Sequence, residues 1–153
     1  MRYAVACDHA GFPLKETVVA ELKSLGNDVL DLGTDSLEAV DYPDFAAAAA
    51  EAVSEKRVDR AVVVCGSGVG ASVVVNKIPG VRGALCHDSF SARQGVEDDD
   101  MNVLCLGARI IGPELAKEAI RAFEGARFSG LERHVRRSDK IDAIEARYFK
   151  QRG

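Results

Sequence analysis

A chain of 153 residues, 47% of them hydrophobic, has material for one domain around one core. Its 24 Asp and Glu outweigh 20 Lys and Arg, and a net charge of −4 argues against general nucleic-acid binding. No stretch approaches the roughly 18 apolar residues of a membrane span, and the opening MRYAVACDHAG is a poor secretory signal because its apolar run stops at Asp8 and His9, so a cytoplasmic protein is expected.

Apolar runs alternate with helical patterns along the chain. YAVAC (3–7) reads as the first strand. Residues 13–25 place Leu14, Val18, Leu22 and Leu25 at helical spacing, with Pro13 tolerated in a first turn. Gly26 and Asn27 end that helix, and DVLDLG (28–33) is a short strand. DYPD (41–44) starts a turn, and the alanine-rich 45–55 favours a helix. RAVVVC (60–65) is the third strand, 71–77 a short helix, VRGALC (81–86) the fourth strand and 89–97 a short helix. NVLCLG (102–107) is the fifth strand, 113–126 a long helix, and 131–150 a loosely helical tail, basic in its first half. The alternation predicts an α/β fold, a Rossmann-like three-layer sandwich with a five-stranded parallel sheet, closed by a C-terminal helix.

The densest signal is AVVVCGSGVGA (61–71). Four apolar residues run to Cys65, and Gly66, Gly68 and Gly70 then allow backbone N–H groups to turn toward one point. Cys65 would lie at the carboxyl end of a strand, where open α/β sheets bind ligands. Three readings stand: a cradle for the phosphate of a small metabolite, a dinucleotide loop, or a plain tight turn. The dinucleotide fingerprint is met by Gly66, Gly68 and Ala71, with Asp88 about 20 residues on. It falls on the third strand rather than the first, and no residues remain for a substrate domain. Cys7, Cys86 and Cys105 also end apolar runs, and none of the four cysteines forms a CxxC pair. They read as buried free thiols of a reducing compartment, with Cys65 set apart by its loop.

Asp8 and His9 follow the first strand and should open onto the same rim as Cys65, as a proton shuttle or a capped turn. The acidic run Glu97 to Asp100 reads as a solvated loop, since consecutive side chains point apart and build a poor metal cage; no metal is expected. Arg109 follows the fifth strand on the ligand rim, and Arg133, Arg136 and Arg137 lie on the basic tail. Arginine forks match phosphate oxygens in pairs.

CDHAGFPLK (7–15), DYPD (41–44), CGSGVGASVVVNKIPGVRGAL (65–85), NVLCLGARIIG (102–112) and ERHVRR (132–137), in this order, resemble the B-type ribose-5-phosphate isomerase family, which includes the galactose-6-phosphate isomerase subunits. The resemblance covers nearly the whole chain. It implies a Rossmann-like domain in dimers or dimers of dimers, with sites at the subunit interface and neither metal nor nucleotide cofactor. It implies that His9 helps open the sugar ring, that Asp8 contacts substrate hydroxyls, and that Cys65 moves a proton between C2 and C1. Ser67 with the N–H groups of Gly66, Gly68, Val69 and Gly70 would hold the enediolate. Arg109, Arg133 and Arg137 would bind phosphate, with His134 among them. Some members use a glutamate right after the glycine loop instead of the cysteine; here that place is Ala71.

The chemistry suits a thiolate, which a glycine nest and a following helix N-terminus favour. One departure stands out. Where many members carry a histidine acid before the fifth strand, this chain has Asp98, and Asp99 replaces an asparagine that touches substrate. A carboxyl of ordinary pKa, about 4, is a poor acid at neutral pH unless burial raises it. Ring opening then falls to His9 alone or to a perturbed Asp98, or the substrate differs; His87 is a further candidate with no geometric reason behind it. The expected activity is aldose–ketose isomerisation, with ribose 5-phosphate leading and tetrose or hexose phosphates open. A non-catalytic phosphosugar-binding subunit and an NAD(P)-dependent reductase are the alternatives.

Overall fold

The computed structural model describes residues 1–149. Five strands, β1 (Arg2–Cys7), β2 (Asp28–Asp31), β3 (Arg60–Cys65), β4 (Gly83–Leu85) and β5 (Val103–Gly107), form one parallel sheet in the order β2-β1-β3-β5-β4. Six helices connect or follow them: α1 (Phe12–Ser24), α2 (Tyr42–Ser54), α3 (Val69–Val75), α4 (Ser89–Asp99), α5 (Pro113–Gly125) and α6 (Glu132–Phe149). The expected α/β architecture, with its parallel sheet and C-terminal helix, is the one observed. Lys150, the last residue of the predicted tail, lies outside the described residues.

Strand alternation builds two different cores. Tyr3, Val5, Val62, Val64, Leu104 and Leu106 face α1, α4 and α5. Ala4, Ala6, Ala61, Val63, Val103 and Cys105 face α2 and α3. The second face is built of small residues, and the alanines of α2 (Ala46, Ala49, Ala50, Ala52) meet it with small residues of their own. That close approach carries the N-terminus of α2 to the carboxyl ends of the central strands.

Several boundaries differ from the sequence expectation. Helix α2 starts at Tyr42, because DYPD is its first turn: Asp41 stands at the N-cap and Pro43 in the first positions. Strand β4 is three residues rather than six. The acidic run is not a loop. Glu97, Asp98 and Asp99 form the last turn of α4, and Asp100 ends it in the left-handed conformation at φ 53°. Two i,i+4 contacts hold this turn against the unfavourable helix dipole: Arg93 with Glu97 at 3.8 Å, and Gln94 Nε2 donating to Asp98 at 2.6 Å.

Helix α6 buries only His134. It is fastened by polar contacts. The Arg82 guanidinium donates to Ser138 Oγ at 2.7 Å and pairs with Asp142, and Gly80 N–H donates to Glu145 at 2.9 Å. Val135, Ile144 and Tyr148 are exposed on it.

Candidate active site

The connections from β1 and β3 leave the sheet in opposite directions, so a crevice opens between the carboxyl ends of these two neighbours. A cavity of about 680 Å³ occupies it, lined by Asp8, His9 and Ala10 from β1, by Cys65, Gly66, Ser67, Val69 and Gly70 from β3, and by Tyr42, Val73, Arg109 and Ile110.

The β1 side is a tight turn. Asp8 is buried, and its Oδ1 accepts the N–H of Gly11 at 2.8 Å while its carbonyl accepts that of Phe12 at 2.9 Å. Gly11 lies so close to β3 that a Cβ would stand 2.1 Å from the Val64 carbonyl oxygen. His9 Nδ1 accepts the N–H of Val40 at 3.1 Å. An accepting Nδ1 in a neutral ring leaves the proton on Nε2.

On the β3 side, Gly68 takes φ +81°, and a Cβ there would stand 2.5 Å from Leu85 Cδ1 and 2.9 Å from the Leu106 carbonyl carbon. Its N–H donates to Cys65 Sγ at 3.1 Å. Val69 N–H donates to Ser67 Oγ at 3.3 Å. The N–H groups of Gly66, Ser67 and Gly70 have no acceptor among the described residues. The loop therefore does not converge all its donors on one ligand, as a simple phosphate cradle would: one holds the sulfur, one holds the serine and three are left for a guest.

The other three cysteines differ from Cys65. All four are free thiols. Burial pushes Cys7 and Cys86 up to about 11, and Cys105, almost wholly enclosed, higher still. These thiols stay protonated at neutral pH and face no cavity of the site.

Arg109 follows β5, is exposed, and has no ion-pair partner among the described residues; its guanidinium lies 3.5 Å from where a Gly66 Cβ would be. Tyr42 belongs to the DYPD motif, and nothing in the sequence marks it as a site residue. Its ring stands 2.7 Å from where a Gly70 Cβ would be, so Gly70 makes room for it, and it walls one side of the cavity.

The remaining predicted site residues lie elsewhere on the chain. Asp98 and Asp99 end α4, and Arg133, His134 and Arg137 open α6; none lines the Cys65 cavity. They do lie together. His134 is buried, its Nδ1 is 2.6 Å from Ser129 Oγ, and its Nε2 is 3.4 Å from Asp98 Oδ1. Asp98 is thus engaged by both Gln94 and His134 rather than standing free. Arg133 and Arg137 are exposed beside this pair. His87 is also outside the cavity; its Nε2 accepts the N–H of Gly107 at 2.9 Å. Among the described residues no helix is long and apolar enough to cross a membrane.

A family model described as Ribose/Galactose Isomerase matches residues 3–141. Ribose-5-phosphate isomerase B of Escherichia coli is 43% identical over 146 residues, covering 95% of this chain and 97% of that protein. A D-erythrulose-4-phosphate isomerase of Pectobacterium atrosepticum is 41% identical over 128 residues, covering 83% and 84%. The solved structure of the type B ribose 5-phosphate isomerase from Trypanosoma cruzi superposes with a TM-score of 0.94 at 44% identity, covering 97% of this chain and 100% of that one. With a matching model over nearly its whole length, and relatives of this similarity, the chain belongs to the ribose/galactose isomerase family.

Proposed function

We propose that the Cys65 cavity converts ribose 5-phosphate to ribulose 5-phosphate through a cis-enediolate, with Cys65 as the base. The chain is an aldose–ketose isomerase of sugar phosphates, and the choice of ribose 5-phosphate follows its relatives. The observation that carries the assignment of the base is the Cys65 sulfur, held by Gly68 N–H at the sheet's switch point with His9 and Arg109 on the same cavity.

His9 presents a protonated Nε2 and serves ring opening by donating to the ring oxygen. The Cys65 thiolate then takes the proton from C2 of the open aldose. The C–H electron pair becomes the C1=C2 bond and O1 takes the negative charge. The proton on O2 passes to O1, the charge moves to O2, and the thiol returns its proton to C1, leaving the ketose. The free N–H groups of Ser67 and Gly70 are the donors for these oxyanions, with Asp8 on the substrate hydroxyls. Arg109 is one phosphate ligand. Arg133 and Arg137, distant from Cys65 in their own chain, serve the cavity of a second copy in a dimer, with Asp98, Asp99 and His134 beside them.

One observation favours a second reading. Asp98, at the place where the family resemblance implies a histidine acid in many members, is tied to Gln94 and His134. A four-carbon sugar phosphorylated on its terminal oxygen has no hydroxyl placed to close a five- or six-membered ring. It needs no ring-opening acid. A tetrose 4-phosphate is therefore the alternative substrate, in keeping with the relative named D-erythrulose-4-phosphate isomerase.

The test is turnover in deuterium oxide with ribose 5-phosphate, erythrose 4-phosphate and hexose 6-phosphates, followed by NMR at C1 and C2, for the protein and for Cys65→Ala. Turnover with deuterium incorporation that disappears in the variant supports the base assignment, and the preferred sugar separates the two readings. Equal turnover in the variant refutes Cys65 as the base.

A further inference from the structure

Residues Val103, Cys105 and Gly107 of β5 turn their peptide groups toward β4. Val103 N–H donates to the Arg82 carbonyl at 3.2 Å, and the Cys105 carbonyl accepts Cys86 N–H at 3.3 Å. Strand β4 ends at Leu85, and the chain leaves for α4, where Asp88 turns to cap Ser91 N–H at 2.6 Å. The buried N–H of Gly107 is thus left without a backbone acceptor. We propose that His87 is a positioning residue for the isomerase site: its Nε2 takes the place of the missing strand, accepts Gly107 N–H at 2.9 Å, and so fixes the surface on which the Cys65–Gly66–Ser67 loop rests.

The link from Gly107 to the loop is backbone on backbone. A Cβ on Gly107 would stand 2.5 Å from both the carbonyl carbon and oxygen of Ser67. Three successive N–H groups at this strand end have three acceptors: Gly107 the His87 ring, Ala108 the Cys65 carbonyl at 2.9 Å, and Arg109 the Gly66 carbonyl at 3.0 Å. The first anchors the other two, and the third residue carries the cavity's arginine.

This role needs a neutral ring with its proton on Nδ1. A doubly protonated ring would present N–H to N–H. Desolvation favours the neutral form, lowering the pKa of His87 from its usual 6.5, and no charged group contributes to that shift. Its titratable neighbours in the chain are Cys86 and Asp88; Cys105 lies across the ladder on β5, where its carbonyl accepts Cys86 N–H, and α4, which follows, carries Arg93 paired with Glu97. The two thiols are pushed up by burial and stay neutral, and Asp88 is engaged with Ser91.

The test compares His87→Gln, whose amide oxygen falls near the position of Nε2, with His87→Leu. The activity arm rests on the isomerase reading; the spectroscopic arm does not. With ribose 5-phosphate at pH 8, the leucine variant should lose roughly tenfold in kcat/KM, the cost of one buried donor left unpaired, and the glutamine variant should recover most of it. On acidification, the wild-type Gly107 amide resonance should move with the His87 ring titration and stay fixed in the glutamine variant. A glutamine variant no better than the leucine one, or a Gly107 amide indifferent to His87 titration, overturns the proposal. Absence of turnover in the wild type on every sugar phosphate would refute the isomerase reading, and the amide titration would still decide the hydrogen bond.

Discussion

Gly68→Ala would separate two costs that meet at one residue. Gly68 has φ +81°, and its added methyl would stand 2.5 Å from Leu85 Cδ1 and 2.9 Å from the Leu106 carbonyl carbon. Gly80 has nearly the same backbone, φ +77°, with nothing within 4 Å. Alanine at either position carries the left-handed penalty of about 1–2 kcal/mol, and the gain from restricting the unfolded chain is common to both. The difference between the two variants is then the clash alone. Leu85 can swing away, but the Leu106 carbonyl cannot, so overpacking should cost about 1–3 kcal/mol more at Gly68. For a chain of this length that is a further drop in Tm of roughly 3–9 °C. Thermal unfolding of both variants measures it, and kcat/KM adds a second reading, because the Gly68 N–H that holds Cys65 Sγ must shift while Gly80 lies away from the cavity. Equal Tm values for the two variants would refute the backbone-contact reasoning.

Four further outcomes are expected. At pH 8, a brief treatment with iodoacetamide should modify Cys65 and leave Cys7, Cys86 and Cys105 intact, since burial raises the last three to about 11 or beyond; peptide mass mapping reads this directly, and substrate should protect. His9→Asn keeps an acceptor for Val40 N–H and removes Nε2, so turnover of ribose 5-phosphate should fall about a hundredfold relative to turnover of erythrose 4-phosphate, which has no ring to open. His87 is neutral in the fold with its pKa below 6.5, so the unfolded chain binds its proton first as pH falls; this contribution to stability is present above 6.5 and is lost as pH drops through the lower folded value, and urea titrations should show a shallower acid loss in His87→Gln. Mixing Cys65→Ala with Arg137→Ala should restore about a quarter of wild-type activity if two copies share each site, because half the dimers are then mixed and each holds one intact site; no recovery would refute a shared site.

The centre of the sheet was legible in the sequence because β1, β3 and β5 are buried on both faces and read as uninterrupted apolar runs; β3 runs from Arg60 to Cys65 as expected. Where the structure departs from the sequence pattern, the reasons are local and physical. Four acids in a row look like solvent-exposed loop, yet Arg93 and Gln94, one turn earlier, each reach forward to hold a helical turn. DYPD looks like a turn, but a proline in the first turn is also how a helix begins, and that beginning delivers Tyr42 to the cavity. Strand β4 is short because the chain turns off after Leu85, and nothing in a string of letters says that a histidine side chain continues the ladder. Of the candidate site, the Asp8–His9 and Cys65–Gly70 segments were legible because both follow strands that the topology makes neighbours. The α4–α6 group was joined to the site only by family resemblance: the residues alone read as a basic tail and a solvated acidic run, and in one chain the group does not line the Cys65 cavity.

The contact between Gly11 and the Val64 carbonyl has a consequence for how this cavity can be retuned. The two segments that carry Asp8, His9 and Cys65 touch through main chain, leaving no side chain between them to trim or enlarge. Their spacing is set by the peptide unit and moves only if the sheet moves. The opposite wall is made of exposed side chains, Val69, Val73, Ile110 and Tyr42, each of which can be exchanged without disturbing a strand. Laboratory evolution toward a longer or shorter sugar should therefore accumulate changes on that wall while the His9–Cys65 geometry stays as it is.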